Sequence, residues 1–540
     1  MRFLKGKFIR IAAVAICAAI CICSFSGCSR AGSGKSVSWL LSSSPRNLDP
    51  QTASSDSELI IIKNCFSGLF EKNADGEIFS SMVEHYGVSK DGLQYTFYLY
   101  DDIYWSIYEG REVKKYAEIK AQDFEFAIKR VFTDNPDADV MRSLKYIKNA
   151  DKVLSGEGVS KLSVSCRDEK TLVITLSQKN AAFLEAFCDP ALFPCNEEFF
   201  TSTSGRYGLG TDTLIFNGSF CLSAWGESSI KLVRNTKIEN KAKPDSVTLY
   251  LPKSTREHVA LLKEGDIDAA QLTAEQFDSL SDKDSFTVEK STSVVWAIIF
   301  NSQHELWKNQ NLRNAVLYCT DRSIFKATDS SHHSPTDRII SPTAISFSEN
   351  YQKLTADISA PAYDSAKAKD FYSKALSELE IAKMYNTDIL IPEKELCKNT
   401  FAALNQIYQR ELSLYFSPTY LSEKALVSRV KSGDFAAALI PLYISSDAPI
   451  ATLEYFSESS PICIMPISKG SFTSYLESAQ NASDALSASK AYSQAEKELY
   501  DNALINPLYF ENSYFVTSSD ASGFTRDKAG SVLFHSVNIK

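Results

Sequence analysis

Residues 207–235 read YGLGTDTLIFNGSFCLSAWGESSIKLVRN, and this stretch decides the fold class. The dipeptide Asn217-Gly218 lies between two phenylalanines, a composition that favours a tight turn with positive φ. Two apolar segments follow, at 220–225 and 230–234, and a Gly-Glu-Ser-Ser sequence separates them. The stretch therefore predicts a turn that leads into a β-hairpin.

The bulk composition describes a large, acidic, globular chain. Its 540 residues exceed one ordinary hydrophobic core, so two or three domains are expected. The hydrophobic share of 44% and the charged share of 23% are typical of folded proteins. A net charge of -9 and a pI of about 5.4 argue against nucleic-acid binding, which needs a basic face.

The N-terminus has the three parts of an export signal. Four basic residues precede an apolar run at 11–25, and Ser26-Gly27-Cys28 closes the segment with small residues. The run is short for a membrane span, which needs roughly 17 to 25 residues. Its junction resembles a bacterial lipobox, which predicts cleavage after residue 27 and a lipid on Cys28; plain secretion is the alternative. Loss of residues 1–27, with four basic and no acidic residues, would change the net charge from -9 to -13. Residues 28–36 then form a flexible tether.

The cysteines show no metal-binding spacing. Twelve are present, and eight remain beyond Cys28, with no CxxC pair among them. A disulfide between Cys188 and Cys195 is compatible with export, but buried free thiols are the simpler expectation.

Outside the opening stretch, apolar periodicity and capping residues predict alternating strands and helices. The N-terminal half is predicted to contain a strand at 37–41, a helix at 58–70 capped by a residue of 54–56, and a strand at 172–176. A capping box of Ser254 and Glu257 begins a helix that Gly265 ends. The C-terminal half is predicted to contain a strand at 294–300, a helix at 312–319, a helix capped by Asp364, and three strands at 387–392, 412–416 and 435–444 with helices at 396–411 and 422–432 between them. These alternations indicate a parallel α/β core.

Many short phrases also occur in the order and spacing of a known family. They include Leu48-Asp49-Pro50, Gly68-Leu69-Phe70, the segment 88–99, Trp105, Ala121-Gln122-Asp123-Phe124, Glu264-Gly265-Asp266-Ile267-Asp268, Asn311 to Val316, and Ala503 to Phe510. Together with the opening stretch, these phrases resemble the bacterial extracellular solute-binding proteins of family 5. Ser219 departs from the usual Pro, Tyr100 from a common Arg, and the charged loop at 108–120 is longer than usual.

The resemblance implies an α/β, two-lobed periplasmic-binding-protein-like fold of type II with an extra subdomain. Lobe I would comprise residues 37–295, with the subdomain at about 80–205. Lobe II would comprise 296–500, and residues 501–540 would return to complete lobe I.

The function implied by the resemblance is capture of peptides, expected to be oligopeptides, in the cleft between the lobes. The peptide would pass to the permease subunits of an ABC transporter. The protein would be a monomer on the outer face of the cytoplasmic membrane, anchored by lipid on Cys28. Alternatives are an oligosaccharide or metal chelate as ligand, or a surface sensor lipoprotein without transport.

Seven residues are expected by resemblance to line the cleft: Ser44, Arg46, Trp296, Tyr443, Ser445, Asp447 and Tyr509. Many peptide-binding members use an Asp here to pair with the free α-amino group of the ligand, a charge-assisted contact. Counted back from Pro449, its place falls on Ser445, and Asp447 lies two residues later. Either the loop is shifted and Asp447 takes this role, or the charge is absent.

Catalytic and metal motifs give little support to an enzyme. The chain lacks HExxH, GxSxG, P-loop and GxGxxG sequences. His332-His333 is interpreted as a pair of solvated loop residues, because no third ligand stands at suitable spacing. No catalytic residue, metal or cofactor is therefore predicted.

Overall fold

One mixed β-sheet links the two halves of the chain. The structure is a computed structural model that describes residues 35–540 apart from 74–76, 137, 139, 181–182, 240–241, 253–256, 329–331, 348, 385, 445–447, 459, 461, 468–470, 483 and 527–530. Within these residues, eleven strands form the main sheet. In spatial order they are β10 (Phe220–Trp225), β11 (Ser229–Arg234), β12 (Ser246–Tyr250), β1 (Ser36–Leu40), β13 (Ala269–Thr273), β21 (Ile505–Ser518), β14 (Phe286–Phe300), β20 (Ala437–Tyr443), β18 (Asn386–Pro392) and β19 (Tyr415–Leu421), with β15 (His333–Pro335) beside β21.

Smaller sheets and the helices surround this sheet. The smaller sheets are β2 (Phe70–Lys72) with β3 (Ile78–Ser80); β4 (Val83–Val88), β5 (Gln94–Leu99), β9 (Thr171–Thr175) and β8 (Val164–Cys166); β6 (Tyr104–Glu109) with β7 (Glu112–Glu118); β16 (Ile345–Ser346) with β17 (Glu349–Asn350); β22 (Ala521–Ser522) with β25 (Asn538–Ile539); and β23 (Thr525–Arg526) with β24 (Val532–Leu533). The helices are α1 (Asp56–Cys65), α2 (Ala121–Asp134), α3 (Met141–Leu144), α4 (Ala150–Leu154), α5 (Phe183–Ala186), α6 (Glu197–Ser202), α7 (Glu257–Glu264), α8 (Ala274–Asp278), α9 (Gln310–Tyr318), α10 (Ser323–Thr328), α11 (Tyr351–Leu354), α12 (Ser365–Glu378), α13 (Glu395–Leu412), α14 (Glu423–Lys431), α15 (Ile450–Leu453), α16 (Phe472–Gln480) and α17 (Ala485–Asp501).

The hydrophobic cores divide the molecule into two lobes. Lobe I has a large core drawn from residues between 37 and 269 and from 515–539, in which Trp39 stacks on Phe515 with ring centroids 5.7 Å apart. Lobe II has one core on each face of its part of the sheet. Trp296 and Ile298 belong to the first core, and Val295 and Ala297 to the second. Alternate residues of the same strand thus fill both sides, as expected for a sheet covered on both faces.

Two long antiparallel strands, β14 and β21, cross from one lobe to the other. They pair from Phe286 with Ser518 to Ile299 with Ile505. The register shifts between Thr292 and Val294, so a bulge lies where the sheet passes between the lobes. Both strands are longer than the sequence predicts, since the predicted strand at 294–300 and the closing phrase at 503–510 cover only their lobe II halves.

The predicted α/β alternation of lobe II is confirmed. β18 is parallel to both β19 and β20, and α13 and α14 connect these strands. In lobe I, the hairpin of β10 and β11 and the strand β1 are also present within one residue of their predicted bounds. The caps of the helices follow the sequence as well, because Ser55 and Glu58 form a capping box and Asp364 caps α12.

The end of α1 and the role of Gly218 were predicted wrongly. α1 ends at Cys65 rather than Phe70, and Phe66 is already extended. Gly218 has no positive φ. Instead, its N–H donates to the carbonyl of Cys65 at 2.8 Å, and the amide of Asn217 bonds to both main-chain groups of Ser67. The Asn-Gly sequence therefore docks on the C-terminus of α1, where glycine permits the close approach of two main chains.

The charged segment 108–120, expected as a reshaped loop, is mostly a β-hairpin. β6 and β7 pair from Tyr104 with Glu118 to Glu109 with Glu112. Gly110 and Arg111 form its tight turn, both with positive φ.

Trp105 and Asp123, which belong to separate phrases of the sequence, meet in the core of lobe I. The indole Nε1 of Trp105 donates to Asp123 Oδ2 at 2.8 Å. The N–H of Lys120 donates to the same oxygen at 3.2 Å. Burial raises the pKa of Asp123 to about 6, although these donors oppose the shift. The carboxyl group therefore binds a proton more tightly in the folded state than in the unfolded state.

Replacing Asp123 with Asn should make stability less dependent on pH. Between about pH 4 and pH 6 the folded wild type holds a proton that the unfolded chain has lost, so its free energy of unfolding falls as pH rises. The Asn variant has no such carboxyl group, so its free energy of unfolding does not fall with pH for this reason. We expect its stability relative to wild type to increase by up to a few kcal/mol from pH 4 to pH 7, measured by urea unfolding. A constant difference across this range would contradict the shift.

Candidate functional site

The strands of lobe I and those of lobe II run toward each other, so their carboxyl ends face each other where β14 and β21 pass between the lobes. β1 is parallel to β13, which ends at Thr273 opposite Ser513 of β21. β20 ends at Tyr443, opposite Val294 of β14. Both ends therefore point at the bulge near residue 293 from opposite sides. Ligands of open α/β sheets bind beyond the carboxyl ends of strands, so the crevice between these two edges is the candidate site.

On the lobe I side, the loop after β1 is held by the N-terminus of α1. The N–H of Ser43 donates to Ser57 Oγ at 3.0 Å, and the N–H groups of Arg46 and Asn47 donate to Glu58 Oε1 at 2.9 and 3.1 Å. Burial alone would raise the pKa of Glu58, but the N–H of Arg46 and the donors of Ser55 and Ser54 hold that pKa below its ordinary value. An ionised Glu58 therefore fixes the loop, which leaves the side chains of Ser44 and Arg46 exposed.

At the crossing itself, a glutamate joins three elements of lobe II. Trp296 Nε1 donates to Glu511 Oε2 at 2.8 Å, and Lys394 Nζ lies 2.5 Å from Glu511 Oε1. The ammonium group also lies 5.7 Å from the centre of the Trp296 ring. Ser291 of β14 and Ser513 of β21 pair nearer to lobe I, and their hydroxyl oxygens are 3.0 Å apart. The floor of the crevice is thus polar, and the half-buried Glu511 is paired with Lys394.

On the lobe II side, Tyr443 presents an exposed ring at the end of β20. Its hydroxyl donates to Glu423 Oε1 at 2.6 Å, and its N–H donates to the hydroxyl of Tyr455 at 3.1 Å. Burial of its hydroxyl and the hydrogen bond to Glu423 raise the pKa of Tyr443 above its ordinary value. The phenol therefore stays protonated at neutral pH and can act as a hydrogen-bond donor.

The structure separates the predicted lining residues into two groups. Ser44, Arg46 and Tyr443 are exposed at the two facing edges. Trp296 and Tyr509 are buried, with 2% and 0% of their surfaces exposed.

Two of the predicted lining residues cannot be placed. Ser445 and Asp447 lie outside the described residues, as does Cys28 with the predicted signal and tether.

The interpretation of His332-His333 as solvated loop residues is wrong. His333 lies in β15, is 2% exposed and packs against the ring of Tyr509 with centroids 4.2 Å apart. His332 Nε2 lies 2.9 Å from Asp278 Oδ2. Within the part of the chain that the structure describes, no three His, Cys, Asp or Glu side chains cluster as metal ligands, and no helix has the length and apolarity of a membrane span.

Sequence reasoning missed Glu511, Lys394, Glu423 and Tyr455. Glu511 lies beside the bulge, Lys394 and Glu423 lie two residues after the ends of β18 and β19, and Tyr455 lies in the turn after α15. Each is linked to the site by a side-chain contact that no local sequence pattern indicates. Glu511, for example, is 215 residues from Trp296. The one usable signal was the position of Lys394, two residues after the predicted strand at 387–392.

Known proteins match almost the entire chain. The sequence profile described as "Bacterial extracellular solute-binding proteins, family 5 Middle" matches residues 77–462. The oligopeptide-binding protein OppA of Bacillus subtilis (strain 168) is 25% identical, with 96% of each chain covered. The dipeptide-binding protein DppE of the same organism is 24% identical over 90% of this chain and 88% of its own.

Solved structures share the fold. The ABC transporter substrate-binding protein CtaP of Listeria monocytogenes has a TM-score of 0.75 and 18% identity, with 94% of this chain and 99% of that chain covered. OppA of Listeria monocytogenes, solved bound to peptide, has a TM-score of 0.70 and 19% identity over 94% and 100% of the two chains.

Proposed function

Because the chain belongs to family 5 of the bacterial extracellular solute-binding proteins, we propose that it captures peptides between its lobes and delivers them to an ABC transporter permease. The observation that carries this proposal is the opposition of two carboxyl strand edges, those of β1 and β20, across the hinge strands. An extended peptide can pair its main chain with such edges, which gives affinity without fixing its side chains. The names of the relatives OppA and DppE support the peptide class.

The lining of the site follows from the same geometry. Ser44 and Arg46 would contact the ligand from lobe I, and Tyr443 with the following loop from lobe II. Trp296 and Tyr509 would support this surface from below, since both are buried. The polar residues of this lining bind and orient a solute, and we propose no bond-making step.

The organisation of the full chain is part of the proposal. Lobe I comprises residues 37–295 with a subdomain at about 80–205, lobe II comprises 296–500, and 501–540 return to lobe I. The core memberships of the described residues support this division in outline, except that Val294, Val295 and residues 505–510 pack in the cores of lobe II. A lipid on Cys28, after removal of the signal, would hold a monomer at the outer face of the cytoplasmic membrane.

Native mass spectrometry of the purified protein should identify the bound solute. We expect peptides, and a bound oligosaccharide or metal chelate would overturn the peptide assignment. A synthetic copy of the most abundant peptide then provides the probe for calorimetric titration.

The same probe tests how the α-amino group is bound. N-acetylation should weaken binding to the wild type by roughly 10- to 100-fold, because it removes a charge-assisted contact. Asp447→Ala should lose a similar factor, and acetylation should then have little further effect. Asp434→Ala is the matched control, because Asp434 precedes the opposite end of β20. Equal loss on acetylation in wild type and Asp447→Ala would remove Asp447 from this role.

A further inference from the structure

Away from the hinge strands, the lobes also meet through an ion pair. Arg142 of α3 pairs with the carboxylate of Glu454, in the turn that follows α15. α3 belongs to lobe I, where Met141 and Leu144 enter the core. The turn belongs to lobe II, where Leu453 and Phe456 enter the core. The pair therefore joins two rigid bodies. Beside it, the hydroxyl of Tyr146 donates to Gln480 Oε1 at 3.4 Å, again from lobe I to lobe II.

The burial of this pair depends on the lobes being together. The side chain of Glu454 is 6% exposed and that of Arg142 is 29% exposed. A buried carboxylate without its cation is costly, whereas a hydrated one is not. Separation of the lobes would break the pair and give both groups to water. Arg142 is therefore needed to compensate the buried Glu454 carboxylate when the lobes are together.

The turn that carries Glu454 is also connected to the candidate site. The neighbouring residue Tyr455 accepts the N–H of Tyr443 at 3.1 Å and lies 3.4 Å from its carbonyl oxygen. Tyr443 is the last residue of β20, directly before the loop at the crevice. A solute that contacts Tyr443 would thus be linked, through Tyr455, to the turn that presents Glu454 to Arg142.

We propose that the Arg142–Glu454 ion pair is a latch that holds the lobes together around a captured solute. The proposal rests on the proposed function, in which a solute is captured by closure of the lobes. A solute that binds the closed state better than the open state shifts the protein toward closure. A contact made only in the closed state therefore slows reopening and lowers the dissociation rate of the trapped solute. The latch would not touch the solute itself.

The test compares wild type with Arg142→Gln, Arg142→Glu and the charge swap Arg142→Glu with Glu454→Arg. The probe is the synthetic copy of the most abundant eluted peptide. We expect both single variants to dissociate at least tenfold faster, with the association rate changed less than threefold. The charge swap should recover part of the loss. Arg429→Ala, which breaks an exposed pair with Asp434 inside lobe II, is the matched control and should behave as wild type.

Small-angle X-ray scattering on the same proteins gives a readout that does not depend on the peptide assignment. The single variants should have a larger radius of gyration than wild type under the same conditions, with unchanged circular dichroism. Equal radii and equal dissociation rates in wild type and Arg142→Gln would overturn the latch. Absence of any peptide binding by wild type would instead overturn the proposed function, while the comparison of radii still decides the latch.

Discussion

Replacing Arg130 with Met is expected to lower the free energy of unfolding by about 3–5 kcal/mol, because it leaves a buried carboxylate without its cation. Both side chains of the Arg130–Asp49 pair are less than a tenth exposed. The guanidinium donates to Asp49 at 3.1 and 2.6 Å and to Gln51 Oε1 at 2.8 Å. Its other face lies 4.1 Å from the ring of Phe200. Met fills much of the volume but supplies none of these donors.

Two comparisons make this prediction specific. Lys114→Met removes the cation of an exposed pair with Glu109 and should cost less than about 1 kcal/mol. Combining Arg130→Met with Asp49→Asn should cost less than the sum of the two single changes, since the second removes the stranded charge. Equilibrium urea unfolding, followed by tryptophan fluorescence, measures the wild type and all four variants. A loss below about 1 kcal/mol for Arg130→Met would show that the pair contributes little.

The same substitution should also weaken solute binding. Asp49 ends the loop that begins after β1, and Glu58 holds the middle of this loop. Arg130 therefore fixes the far end of the segment that presents Ser44 and Arg46. A loop released at one end must be ordered again on binding, at an entropic cost.

Much of the fold was predictable because local pattern and final environment agree. The strand β20 of lobe II is a continuous apolar run in a sheet covered on both faces, and Ser55 with Glu58 is a capping box that needs no tertiary contact. The hinge halves of β14 and β21 were not predictable in this way. Residues 287–293 are rich in Ser and Thr and are interrupted by a bulge, so they carry no regular alternation.

The candidate site was predictable only in outline. The family resemblance indicated Ser44 and Tyr443 as lining residues, and both are exposed at or just after the carboxyl ends of strands β1 and β20. Whether an aromatic near such an end faces the crevice or the core depends on register with strands far away in sequence. Trp296 is covered because it pairs with Tyr509 and Pro441. No pattern within 294–300 contains that information.

Gly218 illustrates how a local signal and a tertiary constraint can select the same residue for different reasons. Its sequence neighbourhood indicates a turn with positive φ, but the structure requires glycine for space. A methyl group at this position would lie 2.5 Å from the main-chain nitrogen of Phe66 and 2.6 Å from the carbonyl carbon of Cys65. Neither atom belongs to a side chain that could rotate away.

Gly218→Ala is therefore expected to destabilise lobe I by about 3 kcal/mol, at the upper end of the usual range for overpacking. The C-terminus of α1 or the strand β10 must shift to make room, and the hydrogen bond from the Gly218 N–H to Cys65 would lengthen. Because the N-terminus of α1 anchors the loop at 42–47, this shift should also lower solute affinity.

Gly87→Ala is the matched control for this change. Gly87 lies in the exposed strand β4, and a methyl group there would meet no atom within 4 Å. Alanine should be neutral or slightly stabilising at that position, because it restricts the unfolded chain more than glycine does. Thermal unfolding by calorimetry and peptide titration measure both variants. Equal stability and equal affinity of Gly218→Ala and Gly87→Ala would contradict this prediction. The 2.8 Å contact between the Gly218 nitrogen and the Cys65 oxygen would then not be tight, and α1 would not support the crevice in the way argued.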